Sequence, residues 1–338
     1  MHSKHSVFEI ALFLIIFFSV NTAHSSQISG TISTTDMRPI AGAIVTVFDK
    51  SGLNSESVYS DALGGFSINT QFTGQINVRA RTPYFADKLV SINLKDSAKE
   101  TLNIHVEKLE DPNALSQMQT ASAFAAKLKF GDKHDARAFR SQCHFCHQIG
   151  NEITRKVRTE DEWEAVIDRM QSYGSVITSG NEDAFRETLQ RTFNGEPIKA
   201  IQTWDISPEL YTAVFKEWSV GNGGSYIHDV EVGADGKLYG VDMGNDKIYI
   251  VDPVTNENTV VNFPASKLPE GGMFSGAYAP LGAFNSRHGP HSIQIGPKGK
   301  VWTTNSLAAE IMSYDPKTGE FMMYPIGGDA IYPHTLRF

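Results

Sequence analysis

The sequence predicts a multidomain chain with three textures in series: an all-β sandwich, a small all-α domain and a partial β-propeller. Three observations carry this. Residues 28–109 alternate apolar and polar in short runs, residues 114–200 switch to helical spacing, and residues 212–338 contain an internal repeat. A length of 338 residues suits two or three domains, at about 100–200 residues each. Hydrophobic residues at 41% and charged residues at 20% exclude a disordered or collagen-like chain. The balance of 30 Lys+Arg against 38 Asp+Glu, net charge -8, with no basic block, excludes nucleic acid as a partner, since phosphate binding needs a basic stripe.

Residues 1–25 read as an export signal. Lys4 and His5 precede the apolar run Ala11–Val20, and small and polar residues follow at Ala23-His24-Ser25. The run is about ten to thirteen residues, whereas a membrane span takes about twenty. Cleavage after Ala23 or Ser25 is therefore expected, rather than retention as an anchor, and no other stretch is apolar enough to span. The mature chain is expected in the bacterial periplasm.

In the first region Ala43–Phe48, Gly65–Ile68, Ile76–Ala80 and Leu102–Val106 each read as a strand, bounded by Gly, Asp, Asn and Pro. Gly30-Thr-Ile32, Pro39-Ile-Ala-Gly-Ala43, Val45, the turn Ser60-Asp61 to Gly64-Gly65-Phe66, and Val78-Arg-Ala80 resemble the carboxypeptidase regulatory-like family of β-sandwich modules. That resemblance implies an accessory module. The region holds no cluster of nucleophile, base or metal ligands, and fold alone does not give function.

In the second region Thr159-Glu-Asp-Glu162 has the form of a capping box. Trp163, Val166, Ile167 and Met170 then form one apolar stripe, ended by Tyr173-Gly174. Glu182–Phe193 places Phe185, Leu189 and Phe193 on one face, and an Ala-rich run from Ala121 to Lys129 precedes both. Three short helices around a small core are expected.

The chain's two cysteines stand in Cys143-His144-Phe145-Cys146-His147. Cys-x-x-Cys-His is the attachment motif of c-type haem: the thiols bond the porphyrin's vinyl groups, and the histidine that follows at once is placed under the iron. A thioredoxin-like redox pair would need a βαβ setting, and a Cys-rich zinc site would need further thiols. One covalent haem c is therefore expected on Cys143 and Cys146, with His147 as proximal iron ligand. Together with Trp163, Arg169-Met170 and Tyr173-Gly174, the motif resembles small monohaem cytochrome c domains. The resemblance implies a distal methionine, and Met170 is either that ligand or core packing. His134 and His144 are weaker distal candidates.

In the third region His228-Asp-Val-Glu-Val-Gly-Ala-Asp-Gly236-Lys-Leu238-Tyr239 matches His291-Ser-Ile-Gln-Ile-Gly-Pro-Lys-Gly299-Lys-Val301-Trp302 in character. Each copy reaches an Asp-Pro pair, Asp252-Pro253 or Asp315-Pro316, twenty-four residues after its histidine. A third copy begins at Pro333-His334, forty-three residues after His291. The first connection carries eighteen extra residues, Ser266 to Ala283. A period near forty with four short strands per copy reads as propeller blades. About two and a half blades are present against the usual four to eight, so the sequence reads as a truncated product of a longer protein.

The motif Pro290-His291-x-Ile293, Gly299-x-Val301-Trp302 and Asp315-Pro316-x-Thr318-Gly319 resembles the virginiamycin B lyase, or streptogramin lyase, group of propellers. That resemblance implies histidines around one mouth of a channel, with the insertion over them, and a divalent metal such as Mg in the complete propeller. His291, with His288 and Arg287 beside it, are the candidate catalytic residues; His228 is read as a fold signature bonded to the neighbouring strand. Two functions stay open. One is an exported c-type cytochrome whose propeller binds a periplasmic redox partner or a small-molecule substrate. The other is a metal-dependent carbon–oxygen lyase with a regulatory haem domain. In a binding-only variant the sandwich and propeller are docking surfaces.

Overall fold

The computed structural model describes residues 25–144, 147–199, 206–276, 284–326 and 332–338. The expected leader, apart from Ser25, lies outside them, as does Cys146. No helix among the described residues is long and apolar enough to cross a membrane.

Seven strands open the fold: β1 (Ser26–Thr34), β2 (Ile44–Phe48), β3 (Asn54–Tyr59), β4 (Gly65–Thr70), β5 (Gly74–Arg81), β6 (Lys88–Leu94) and β7 (Lys99–Val106). Their alternation decides which side faces in: along β4, Phe66, Ile68 and Thr70 are buried while Ser67 and Asn69 are exposed. One sheet has the order β4-β1-β7, with β1 and β7 parallel. Its inner residues Ile28, Ile32 and Ile104 pack on Val45, Val47 and Val78 of the facing sheet. At Gly30 the backbone lies so close to β7 that a Cβ would overlap the Leu102 carbonyl, which restricts the position to glycine.

The facing sheet has the order β6-β5-β2-β3-β8, and its last member is β8 (Val214–Trp218), more than a hundred residues beyond β7. Strand β3 is otherwise an edge with unpaired amides and carbonyls, which β8 satisfies from Asn54↔Trp218 to Val58↔Val214. Lys216 Nζ meets the almost wholly buried Glu56 carboxylate at 3.5 Å, and Ser55 donates to Glu217 at 3.1 Å.

Between β7 and β8 the described residues form five α-helices: α1 (Pro112–Gln117), α2 (Ala121–Ala125), α3 (Lys133–Cys143), α4 (Glu160–Ser172) and α5 (Ser179–Thr192). The expected series of sandwich, small all-α cytochrome c domain and partial propeller is corrected here. The described chain is mostly β, with sixteen strands in four sheets, and no distinct all-α cytochrome domain stands apart in it. The physical reason lies in β8: the helices form an excursion between two strands of one sandwich, which closes on the far side through the β3–β8 ladder. The capping box of α4 forms as its spacing predicts: the Glu162 amide donates to Thr159 Oγ1 at 3.3 Å and the Thr159 amide to Glu162 Oε2 at 2.8 Å. Trp163, Ile167, Phe185, Leu189 and Phe193 share one buried cluster.

Two antiparallel meanders follow. The first joins β9 (Ile227–Val232), β10 (Leu238–Asp242), β11 (Lys247–Val251) and β12 (Asn258–Asn262); the second joins β13 (Pro290–Ile295), β14 (Val301–Asn305), β15 (Glu310–Tyr314) and β16 (Phe321–Pro325). They have the four-stranded form of propeller blades. Val241, Ile248 and Phe263 of the first pack against Ile293, Val301 and Met312 of the second. Val230, Val232 and Val260 on the first sheet are exposed.

Lys216→Met should leave Glu56 buried without its cation. A loss of about 1–3 kcal/mol is expected, less than for a fully buried pair because Lys216 is itself partly solvated. Urea unfolding followed by far-UV circular dichroism measures it, and Glu56→Gln in the same background should recover part of the loss.

Candidate functional site

The Cys-x-x-Cys-His motif begins at the C-terminus of α3. Asp132 caps that helix, accepting the Asp135 amide at 2.9 Å. Ala136, Phe139 and Cys143 follow at helical spacing, and this cap and stripe were the signals for a helix that the Ala-rich reading ended too early and missed. Phe139 is wholly buried, with ring centroids 4.9 Å from Phe130 and 5.1 Å from Phe185. Cys143, the last helical residue, packs half-buried against the same cluster, and burial pushes its thiol up to about 12. Burial therefore holds it neutral.

His144 caps the helix with its ring edge-on to Phe139 at 5.6 Å. Burial, followed by the charges of His147 and Arg140, lowers its pKa. Phe145 and Cys146 lie outside the described residues. His147 is exposed, and its Nδ1 lies 3.1 Å from the Gln148 carbonyl. A carbonyl only accepts, so Nδ1 carries the proton and Nε2 keeps the lone pair a metal needs. The residues present therefore fit a haem c: a thiol at a helix end, a histidine with its tautomer set, and space beside them.

That space is a cavity of about 650 Å³ between α2 and α3, walled by Leu128, Phe130 and Phe139 and bordered by His144. Met170 is half-buried and lies outside the helical core cluster that takes Trp163, Val166 and Ile167. It is linked to the motif through one residue: the Ser175 amide donates to the Met170 carbonyl at 3.0 Å and the Ser175 hydroxyl to the Gln142 carbonyl at 3.4 Å, beside Cys143. His134 is at the opposite end of α3, nine residues from Cys143, about 14 Å along the axis. There it lies in a cluster with the exposed Asp132 and the half-buried Asp135.

The repeated histidines make a ladder. His228 Nδ1 donates to the His291 carbonyl at 2.8 Å, and His291 Nδ1 donates to the His334 carbonyl at 3.0 Å. The rings lie close but tilted, with centroids 3.6 and 4.1 Å apart. His228 and His291 thus make the same bond, each fastening its sheet to the next copy. Burial, then the neighbouring His228 and His334, pushes His291 down to about 4.

His288 is built in the opposite sense. It is buried, with the Glu310 carboxylate 2.6 Å from Nδ1 and the Pro264 carbonyl 3.0 Å from Nε2. Both partners accept, so the doubly protonated ring satisfies both. Burial opposes that charge, but Glu310, Asp246 and the carbonyl outweigh it and raise the pKa. The segment is held by Asp246, whose carboxylate accepts the amides of Arg287 at 2.5 Å, His288 at 3.0 Å and Gly289 at 2.9 Å. The corresponding position in the second sheet is Ala309, so the repeat itself offered no signal for Asp246. Arg287 reaches the insertion, donating to the Leu268 carbonyl at 2.6 Å. Neither His288 nitrogen is left to take a proton. Among the described residues no cluster of three metal-ligating side chains includes these histidines.

Residues 27–107 match the carboxypeptidase regulatory-like domain family. No curated protein matches the chain. Among solved structures it is similar to a catalytically inactive variant of virginiamycin B lyase from Staphylococcus aureus with quinupristin, at 16% identity and a TM-score of 0.28, over 36% of this chain and 34% of that one. A streptogramin B lyase structure is similar at 20% identity and a TM-score of 0.28, with the same coverage. The chain thus spans about a third of the length of those structures.

The two histidines should bend the stability profile in opposite directions. His291 resists protonation when folded, so stability falls as pH drops from the ordinary 6.5 through about 4. His288, its pKa raised above 6.5, contributes fully below that value and loses its contribution as pH rises through the raised one. In urea titrations against pH, His291→Asn should flatten the acid limb. His288→Gln should lower stability most at acid pH, by about 2 kcal/mol, and flatten the decline above neutrality.

Proposed function

We propose that this is an exported electron-transfer protein of the periplasm. In this reading it carries one haem c on Cys143 and Cys146, with His147 as proximal ligand, and its C-terminal sheets bind a redox partner or a small-molecule substrate. The observation that carries it is the placement of the chain's two cysteines in Cys-x-x-Cys-His, beginning where α3 ends beside a cavity. A bound haem supplies a one-electron redox centre. The chain's own residues do the rest. Phe139 anchors the helix that ends in Cys143, the Gln148 carbonyl orients the His147 ring, and Leu128 and Phe130 keep water from the cavity wall. Ser175 brings the last turn of α4, with Met170, beside the motif, which supports Met170 as the distal ligand. The occupied nitrogens of His288 favour a binding role for that part of the C-terminal sheets over elimination chemistry at His288, which needs an unengaged base.

Protein matured with haem-attachment machinery should give the pyridine haemochrome of a doubly thioether-linked haem, and Cys143→Ser/Cys146→Ser should abolish it. A colourless product with both thiols open to an alkylating reagent would overturn the reading. Met170→Ala should change the reduced spectrum and lower the reduction potential, because a thioether ligand favours the ferrous state; an unchanged potential reassigns Met170 to packing.

A further inference from the structure

After β12 the chain forms a strap, Pro264–Phe274, that hangs on the short segment Ser286–His288. The bonds between them come in chain order. His288 Nε2 meets the Pro264 carbonyl at 3.0 Å, Arg287 Nη1 donates to the Leu268 carbonyl at 2.6 Å, and the Gly271 amide donates to the Ser286 carbonyl at 2.9 Å. Arg287 Nη2 also lies 3.8 Å from Glu270, and the Met273 amide donates to the Leu307 carbonyl at 2.9 Å. At the end of the strap Phe274 packs edge-on against Tyr332, which packs edge-on against the ladder residue His291.

The segment that carries the strap is held by charge. Asp246, in the turn between β10 and β11, accepts the amides of Arg287, His288 and Gly289, and Glu310 on β15 meets the His288 ring at 2.6 Å. Glu310 also accepts from Asn305 Nδ2 at 3.0 Å. Arg287 commits its guanidinium to Leu268 and Glu270, so the His288 ring is the cation that balances Asp246 and Glu310. A neutral imidazole has one N–H. It stays on Nδ1, toward the carboxylate, and the Nε2 lone pair then faces the Pro264 carbonyl. Loss of the proton also leaves two carboxylates without their shared cation.

We propose that the charged His288 ring is a proton-operated latch, which holds Pro264–Phe274 against Ser286–His288 and releases it when the ring loses its proton. Burial works against the charged ring, but Glu310, Asp246 and the Pro264 carbonyl outweigh it and raise its pKa. The strap is therefore held near the ordinary 6.5 and freed as pH rises through the raised value. Release loosens the packing of Phe274 on Tyr332, and with it the cover beside His291. The latch needs no haem.

Hydrogen exchange of the full chain, read by mass spectrometry and corrected for the intrinsic rate, tests this from about pH 6 to about pH 9, a range that brackets a raised histidine pKa. The bonded amides of Gly271, Gly272, Met273 and Phe274 should exchange about ten- to a hundredfold faster on the alkaline side, the effect of one charge-assisted hydrogen bond on a local opening, while β14 and β15 stay protected. Glu310→Gln should move the step to lower pH, and His288→Gln should remove it. Strap amides that follow the intrinsic rate throughout, or a step that survives in His288→Gln, overturn the latch. Where His288→Gln does not fold, Glu310→Gln decides alone, and a step that stays at its original pH overturns the latch.

Discussion

The placement of the Cys-x-x-Cys-His segment depends on one packing contact, the burial of Phe139 between Phe130 and Phe185. Burying a phenylalanine fully is worth about 2–3 kcal/mol, and here that energy sets the rotation of α3 about its axis. With Phe139 turned inward, Cys143, four residues on, is also drawn against the core, and Ala136 and Arg140 fall on the cavity side. The motif's chemistry is written in five consecutive residues. Its placement beside a cavity is due to an aromatic cluster contributed by α3, α5 and the turn between α2 and α3.

A second constraint is the need to cover strand edges. The helices leave the sandwich after β7 and the chain returns to it as β8, because β3 offers a ladder of unpaired backbone groups. The buried Glu56 then requires a cation at the register that Lys216 occupies. The site-bearing segment is thereby tethered at both ends to one rigid scaffold. Tyr84 of that scaffold also donates its amide to the Met118 sulfur just beyond α1.

The C-terminal sheets show how a repeat uses one residue type in two ways. His228 and His291 donate through Nδ1 to a carbonyl of the next copy, and burial, with the neighbouring imidazoles, disfavours charge on His291. His288, only three residues before His291, lies between a carboxylate and a carbonyl and favours the charged ring. The difference is due to Asp246 and Glu310, neither of which recurs at the matching position of the other copy. Repeated residues here serve the architecture, and non-repeated ones set local electrostatics.

By itself the sequence determined what depends on short-range order. The sandwich strands follow from a period of two that buries alternate side chains, the α4 start from a cap four residues long, the sheet repeat from its spaced Gly and Asp-Pro turns, and the haem-type motif from five adjacent residues. Only the tertiary structure decided the return of β8 to the sandwich, the absence of a separate all-α cytochrome domain, the cavity at α3 and the Asp246–His288–Glu310 network. Each of these joins residues from about twenty to more than a hundred positions apart. Their pairing depends on which edges and charges remain unsatisfied once the local elements have formed, and no local pattern encodes that.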